Sequence, residues 1–140
     1  GATTCWEQWN GFYSQIHSCF PYIGGWFYRG LGGIRWDPEN PGFKNIILHP
    51  AIVKSVSWVN CNYETPYGEV VSNWKTEAGE FKWKVTIPVN STATIYFPGE
   101  EIKENGMKVS ETADITFLRQ EDNHSVYKIG SGDYFFTCRY

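Results

Sequence analysis

The sequence predicts a mainly β protein, an antiparallel β-sandwich of about eight strands preceded by a short helical segment. Two observations lead to this prediction. Apolar residues recur at helical spacing in the first quarter of the chain, and from Phe43 onward they alternate with polar ones. Turn signals also separate the later runs at intervals typical of a sandwich. The chain has 140 residues, of which 41% are hydrophobic and 18% aromatic, enough for one packed core.

The predicted helical segment carries apolar residues at spacings of three and four. These are Ile16, Phe20, Ile23, Phe27 and Leu31. Proline is favoured in the first turn of a helix, so Pro21 predicts a helix that begins there and ends near Leu31. Three glycines around the expected end, at positions 30, 32 and 33, would stop the helix.

The predicted strands are short runs with a period of two. They are Asn45–His49, Val53–Tyr63, Val70–Trp74, Phe81–Ile87, Thr94–Phe97, Ile115–Leu118, Val126–Ile129 and Tyr134–Cys138. Asn105-Gly106 gives the clearest hairpin signal, because both residues tolerate positive φ. We expect Trp58, Trp74 and Trp83 to pack in the core, and the loop Tyr63–Glu69 to be a tight turn rather than a ligand loop.

Composition and charge exclude several classes of function. The net charge is −3 and no cluster of Lys and Arg occurs, so we expect no nucleic-acid partner. No apolar run reaches the roughly 18 residues of a membrane span. The four cysteines show no metal-type spacing, and we expect them to be buried free thiols; no cofactor or metal is expected.

Glu7 is the strongest candidate for a chemical role. It stands between Trp6 and Trp9, with Phe12 and Tyr13 close behind. Aromatic neighbours would partly remove the carboxylate from water, which makes it a better base, and aromatic rings beside an acid are typical of sugar sites. The alternative interpretation is an ordinary surface carboxylate.

His17 follows ten residues after Glu7. Its ring could hydrogen-bond a ligand hydroxyl or Glu7 itself, although a structural role is the alternative. His49 and His124 have no evident partners in the sequence, and we expect both to be structural.

Several motifs, in order along nearly the whole chain, resemble one family. GATTCWEQW resembles G-A-T-T-x-W-E-x-W, and the stretch ending GWFYRGLGGI resembles W-x-Y-R-x-L-x-G-I. PGFKNIILHP, YETPYG, VTIPVN and YKIGSGDY are similar to the motifs that follow. The family is that of the bacterial α-L-rhamnosidases of glycoside hydrolase family 78.

The resemblance implies a division of the chain and a mechanism. Residues 1–35 would be the last part of an (α/α)6 catalytic barrel, and residues 36–140 a C-terminal β-sandwich domain. The parent would hydrolyse terminal α-L-rhamnosides with inversion, which requires a general acid and a general base. Glu7 matches the family's general base, His17 its substrate-contacting histidine and Trp6 a sugar-stacking position. The general acid would lie outside this chain.

The resemblance also implies partners. They are a rhamnose-containing oligosaccharide or glycoside and the missing N-terminal catalytic domain. We therefore expect the isolated chain to be inactive, and its helical segment to cover a sheet face or form a homodimer. We expect the parent to be periplasmic or secreted. Two other hypotheses stay open: a non-catalytic carbohydrate-binding module, which would need aromatics on one exposed face, and a purely structural domain.

Overall fold

The computed structural model describes residues 3–19 and 21–140 and confirms the predicted β-sandwich after a short helical segment. Gly1, Ala2 and Phe20, which belong to the predicted motif and helix, lie outside the described residues. The described part contains eleven strands rather than about eight. They are β1 (Ile34–Trp36), β2 (Asn45–Leu48), β3 (Trp58–Thr65), β4 (Gly68–Glu77), β5 (Glu80–Ile87), β6 (Thr92–Phe97), β7 (Glu100–Glu104), β8 (Met107–Lys108), β9 (Ile115–Glu121), β10 (His124–Ile129) and β11 (Gly132–Arg139).

The strands form two sheets. One has five strands in the order β1-β2-β6-β10-β9, and the other has six in the order β3-β4-β5-β11-β7-β8. Neighbouring strands are antiparallel except β2 and β6, which run parallel. Strands β3, β4 and β5, which belong to the other sheet, separate the two members of this parallel pair in the sequence.

The helical segment is short and changes type. An α-helix, α1, spans Tyr22–Trp26, and a π-helical turn follows it over Phe27–Leu31. The N–H of Gly32 bonds to the carbonyl oxygen of Phe27 at 2.8 Å and closes the wider turn. The helix ends at Leu31 as predicted, because Gly33 then takes a φ of +73° that few other residues adopt.

The core lies between the sheets and is rich in aromatic side chains. Trp83 and Phe97 meet edge to face with ring centroids 5.8 Å apart, and Phe136 approaches Phe97 at 4.9 Å. All three are fully buried. The predicted inward face of β5 is confirmed, since Phe81, Trp83, Val85 and Ile87 are buried.

Some predictions for the sandwich were wrong. Trp74 and Trp83 are in the core, but Trp58 is 63% exposed because its register partner on β4 is Lys75, on the outer face of the sheet. Strand β3 begins at Trp58 and not at Val53, since the chain turns there with a bond from Val56 N–H to the Val53 carbonyl. Of the cysteines, Cys61 and Cys138 are buried, but Cys5 and Cys19 are exposed.

The loop at residues 63–69 is a tight hairpin turn between β3 and β4, as predicted. The hydroxyl of Thr65 donates to the carbonyl oxygen of Gly68 at 2.7 Å and accepts the N–H of Tyr67 at 3.1 Å.

Candidate functional site

The N-terminal motif folds back on itself through two backbone hydrogen bonds. The N–H of Glu7 donates to the carbonyl oxygen of Ser14, and the N–H of His17 donates to that of Cys5, both at 2.8 Å. Residues 3–19 consist of turns, bends and irregular backbone. This fold-back brings the two ends of the motif together.

Glu7 and His17 face each other across the fold-back. Oε2 of Glu7 lies 3.5 Å from Nδ1 of His17 and accepts a hydrogen bond from the N–H of Ser14 at 3.3 Å. The two side chains are 37% and 35% exposed, so both keep contact with water. A carboxylate held by a backbone donor, beside an imidazole and open to solvent, can take a proton from a bound water.

Trp6 is half-buried because its ring packs over Gly11. A Cβ atom at Gly11 would lie 2.9 Å from Cζ3 of Trp6, and the φ of Gly11 is +68°. The turn therefore needs glycine at this position if the indole is to keep its place beside Glu7.

The aromatic cover expected over Glu7 is incomplete. Trp9 is 97% exposed, so the prediction that it helps to remove the carboxylate from water is wrong. Phe12 and Tyr13 are exposed too and pack edge to face on each other, with centroids 5.1 Å apart. The Glu7 side chain accordingly stays 37% exposed and is not enclosed by aromatic rings.

A second cluster, made of aromatic and histidine rings, was not predicted from the sequence. The ring of His49 stacks on Tyr96 with centroids 4.4 Å apart and planes 5° from parallel, and His124 meets His49 edge to face at 4.8 Å. The guanidinium of Arg119 donates to the hydroxyl of Tyr96 at 2.9 Å. The sequence shows no partner for either histidine, but in the structure each has an aromatic partner. The parallel pairing of β2 with β6 juxtaposes His49 with Tyr96, and no local pattern signals that pairing.

Burial of His49 lowers its pKa to about 4, with further contributions from the charges of Arg35 and His124. Arg35 lies close because its guanidinium donates to the backbone carbonyl of His49 at 3.1 Å. His49 is therefore neutral near pH 7, which suits a ring stacked on a tyrosine in a structural cluster.

Residues 3–19 and 21–140 contain neither a metal-type cluster of side chains nor a membrane-spanning helix. In this part of the chain no three His, Cys, Asp or Glu side chains gather in a way that could hold a metal ion. No helix there is long and apolar enough to cross a membrane.

Known proteins similar to this chain are α-L-rhamnosidases. One from Streptomyces avermitilis is 28% identical over 98% of the chain, and one from Alteromonas sp. (strain LOR) is 32% identical over 70% of it. The matched regions make up 14% and 12% of those two proteins, so the chain spans about a seventh of the length of such relatives.

Solved structures give the same picture. The α-L-rhamnosidase from Dictyoglumus thermophilum matches 99% of the chain with a TM-score of 0.79 and 28% identity, over 16% of its own length. The Streptomyces avermitilis enzyme complexed with L-rhamnose also matches with a TM-score of 0.79, at 24% identity, and supports the fold. The family described as the bacterial α-L-rhamnosidase C-terminal domain matches residues 33–112, which is more than half of the chain. The chain belongs to this family.

Proposed function

We propose that this chain is part of an inverting α-L-rhamnosidase that removes terminal α-L-rhamnose from glycans or glycosides, with Glu7 as the general base. The observation that carries the proposal is the pairing of Glu7 with His17 at 3.5 Å in a solvent-open fold-back. The relatives are named α-L-rhamnosidases, and one solved relative is complexed with L-rhamnose.

Each residue of the pair has a defined role in the proposal. An inverting hydrolase uses a carboxylate to take a proton from water as that water attacks the anomeric carbon. Glu7 supplies the carboxylate, and the N–H of Ser14 holds one of its oxygens in place. His17 orients Glu7 or donates to a sugar hydroxyl, and Trp6 offers a ring face to the C–H surface of the sugar.

The proposal divides the chain into two parts. Residues 1–35 contribute to the catalytic site, although Ile34 and Arg35 at the end of this part already pair with β2 in the sandwich. Residues 36–140 form the rest of a structural β-sandwich beside it. Inversion also needs a general acid about 6.5–9.5 Å from the base, and the proposal assigns that acid to a catalytic domain outside this chain. The 140-residue chain alone is therefore inactive, and its exposed apolar residues Tyr22, Ile23, Trp26 and Phe27 contact that domain or a second copy.

The test measures release of nitrophenol from an aryl α-L-rhamnoside. It compares the full gene product, its Glu7→Gln variant and the 140-residue chain. Removal of a general base costs about 10²–10⁴-fold in rate, so the variant is expected to lose that much kcat while the chain alone releases nothing. Glu39→Gln is the matched control, because Glu39 is an exposed acid in the connector before β2.

Proton NMR of the first-formed sugar tests the stereochemistry. Inversion gives β-L-rhamnose before mutarotation, whereas a retaining enzyme would give the α-anomer. A Glu7→Gln variant that keeps most of its activity, or a full gene product inert on rhamnosides, would contradict the proposal.

A further inference from the structure

Two large aromatic side chains stand on the outer face of the six-stranded sheet. Trp58 on β3 is 63% exposed and Phe135 on β11 is 46% exposed. Neither contributes to the core between the sheets, and exposing such rings to water is unfavourable. Two exposed rings on one sheet face offer apolar surface on which a ligand could stack.

The strand register places polar side chains between the two rings. One row crosses four strands: Asn60 pairs with Asn73, Asn73 with Lys84, and Lys84 with Phe135. Trp58 begins the neighbouring row. A shallow cavity of about 280 Å³ lies over these residues.

The spacing of this row sets the size of the ligand. Three gaps between four adjacent strands measure about 14 Å. This length fits a short oligosaccharide lying across the strands and exceeds a single sugar ring. Phe135 at one end of the row, and Trp58 beside Asn60 at the other, would stack on the C–H surfaces of sugar rings.

The amides between the rings can bond sugar hydroxyls. Oδ1 of Asn73 already accepts the N–H of Cys61 at 2.8 Å, which fixes the side chain and leaves its NH₂ group as a donor. Asn60, its register partner, is exposed on the same face.

The positive charge of the cavity favours an acidic sugar over a neutral one. Its lining includes Lys75, Lys82 and Lys84 and no carboxylate, although the whole chain has a net charge of −3. Lys75 and Lys82 are within 4 Å of Glu77, but Lys84 makes no ion pair with any residue that the structure describes. An unpaired ammonium between an amide and an aromatic ring is complementary to a carboxylate.

We propose that this outer face, defined by Trp58, Asn60, Asn73, Lys84 and Phe135, binds an acidic oligosaccharide, with a uronate carboxylate on Lys84 and a sugar ring on each aromatic. This binding site uses none of the residues assigned above to hydrolysis. It would hold an acidic polysaccharide close to the enzyme whatever bond the enzyme cleaves.

The test titrates the 140-residue chain with trigalacturonate and, as the neutral counterpart, with maltotriose. Binding is followed by isothermal titration calorimetry and by the NMR signal of the Trp58 indole. Trigalacturonate is expected to bind and maltotriose to bind at least about tenfold more weakly. Trp58→Ala and Lys84→Gln should each weaken trigalacturonate binding about tenfold, and added salt should weaken it further.

Matched controls lie on the other sheet. Phe117 is an exposed aromatic on β9, and Lys128 is an exposed lysine on β10, so Phe117→Ala and Lys128→Gln should leave the affinity unchanged.

Five outcomes would overturn the proposal. The first four are no trigalacturonate binding up to about 10 mM, equal affinity for maltotriose, variants at Trp58 and Lys84 that bind like the original, and tighter binding of a thymidine oligonucleotide. Loss of a dimer in Trp58→Ala without saccharide binding would also overturn it and would make this face a contact between copies.

Discussion

The hydroxyl of Ser72 donates a hydrogen bond of 2.6 Å to the carbonyl oxygen of Gly32, forty positions earlier in the chain. The same hydroxyl accepts the indole N–H of Trp83 at 3.0 Å, and Ser72 is fully buried. Next to it, the indole N–H of Trp74 donates to the carbonyl oxygen of Leu31 at 2.8 Å. The sandwich therefore satisfies the last carbonyl groups of the helical segment, which a helix end leaves without partners. Leu31 and Gly32, just before the boundary proposed at residue 35, are therefore hydrogen-bonded to the sandwich, and this segment is not a free linker.

Replacing Ser72 should destabilise the fold. Ser72→Ala removes the bond to Gly32 and leaves the buried N–H of Trp83 without a partner, and such an unsatisfied group costs about 1–3 kcal/mol. Urea unfolding should report a loss of this size in the free energy of unfolding. Ser131→Ala, at an exposed serine, is the control and should change little. An unchanged stability in Ser72→Ala would contradict the proposed network.

Gly33 should tolerate substitution less well than Gly42, although both have positive φ. At Gly33 a Cβ would lie 2.3 Å from the backbone nitrogen of Pro50, whereas at Gly42 nothing lies within 4 Å. Gly42→Ala therefore costs only the left-handed conformation, about 1–2 kcal/mol. Gly33→Ala adds a backbone clash and should cost at least about 1 kcal/mol more. The melting temperatures of the two variants test this, and equal losses would refute the close approach.

The sequence predicts an element well where the residues of that element alone show its pattern. Alternation in Phe81–Ile87 identifies the buried face of β5, and the glycines after Leu31 identify the end of the helix. Strands β1, β7 and β8 were missed because each carries only one or two apolar residues, too few to show a period, whereas the equally short β2 carries three and was predicted.

What the sequence could not predict depends on contacts between distant strands. Trp58 shares its face of β3 with Asn60 and Asn62, opposite the buried Cys61, and only the pairing of β3 with β4 fixes which face meets the core. The stack of His49 on Tyr96 depends on a parallel pairing that no turn specifies. By contrast, the contact between Glu7 and His17 is local, and it was one of the two alternatives anticipated for His17.

The four thiols should differ in reactivity. Cys61 and Cys138 are buried, and burial raises the pKa of the Cys138 thiol to about 12, so little thiolate forms there near pH 8. Cys5 and Cys19 are exposed. Ellman's reagent should therefore titrate two thiols quickly in the folded chain and four in denaturant. Mass spectrometry should locate the fast label on Cys5 and Cys19. Fast labelling of Cys138 in the native chain would contradict its burial.

The stability of the chain should fall as the pH drops below about 6.5, in part because of His49. Burial, the charge of Arg35 and the charge of His124 lower the pKa of His49 to about 4, while Glu121 and Asp122 act weakly in the opposite direction. In the unfolded chain this histidine has its ordinary pKa of about 6.5. Between these values the unfolded state binds the extra proton, so the contribution of neutral His49 is complete above about 6.5 and is lost as the pH falls toward 4.

The size of this effect is reduced because His49 is only partly buried and solvent screens its charge. We expect a contribution of order 1 kcal/mol. The measurement is urea unfolding at pH 7 and pH 4.5 for the original chain and for His49→Phe, which keeps an aromatic ring on Tyr96 and removes the titrating group. The original chain should lose about 1 kcal/mol more than the variant between the two pH values. An equal loss of unfolding free energy in both proteins would show that other groups cause the acid sensitivity and that His49 does not contribute to it.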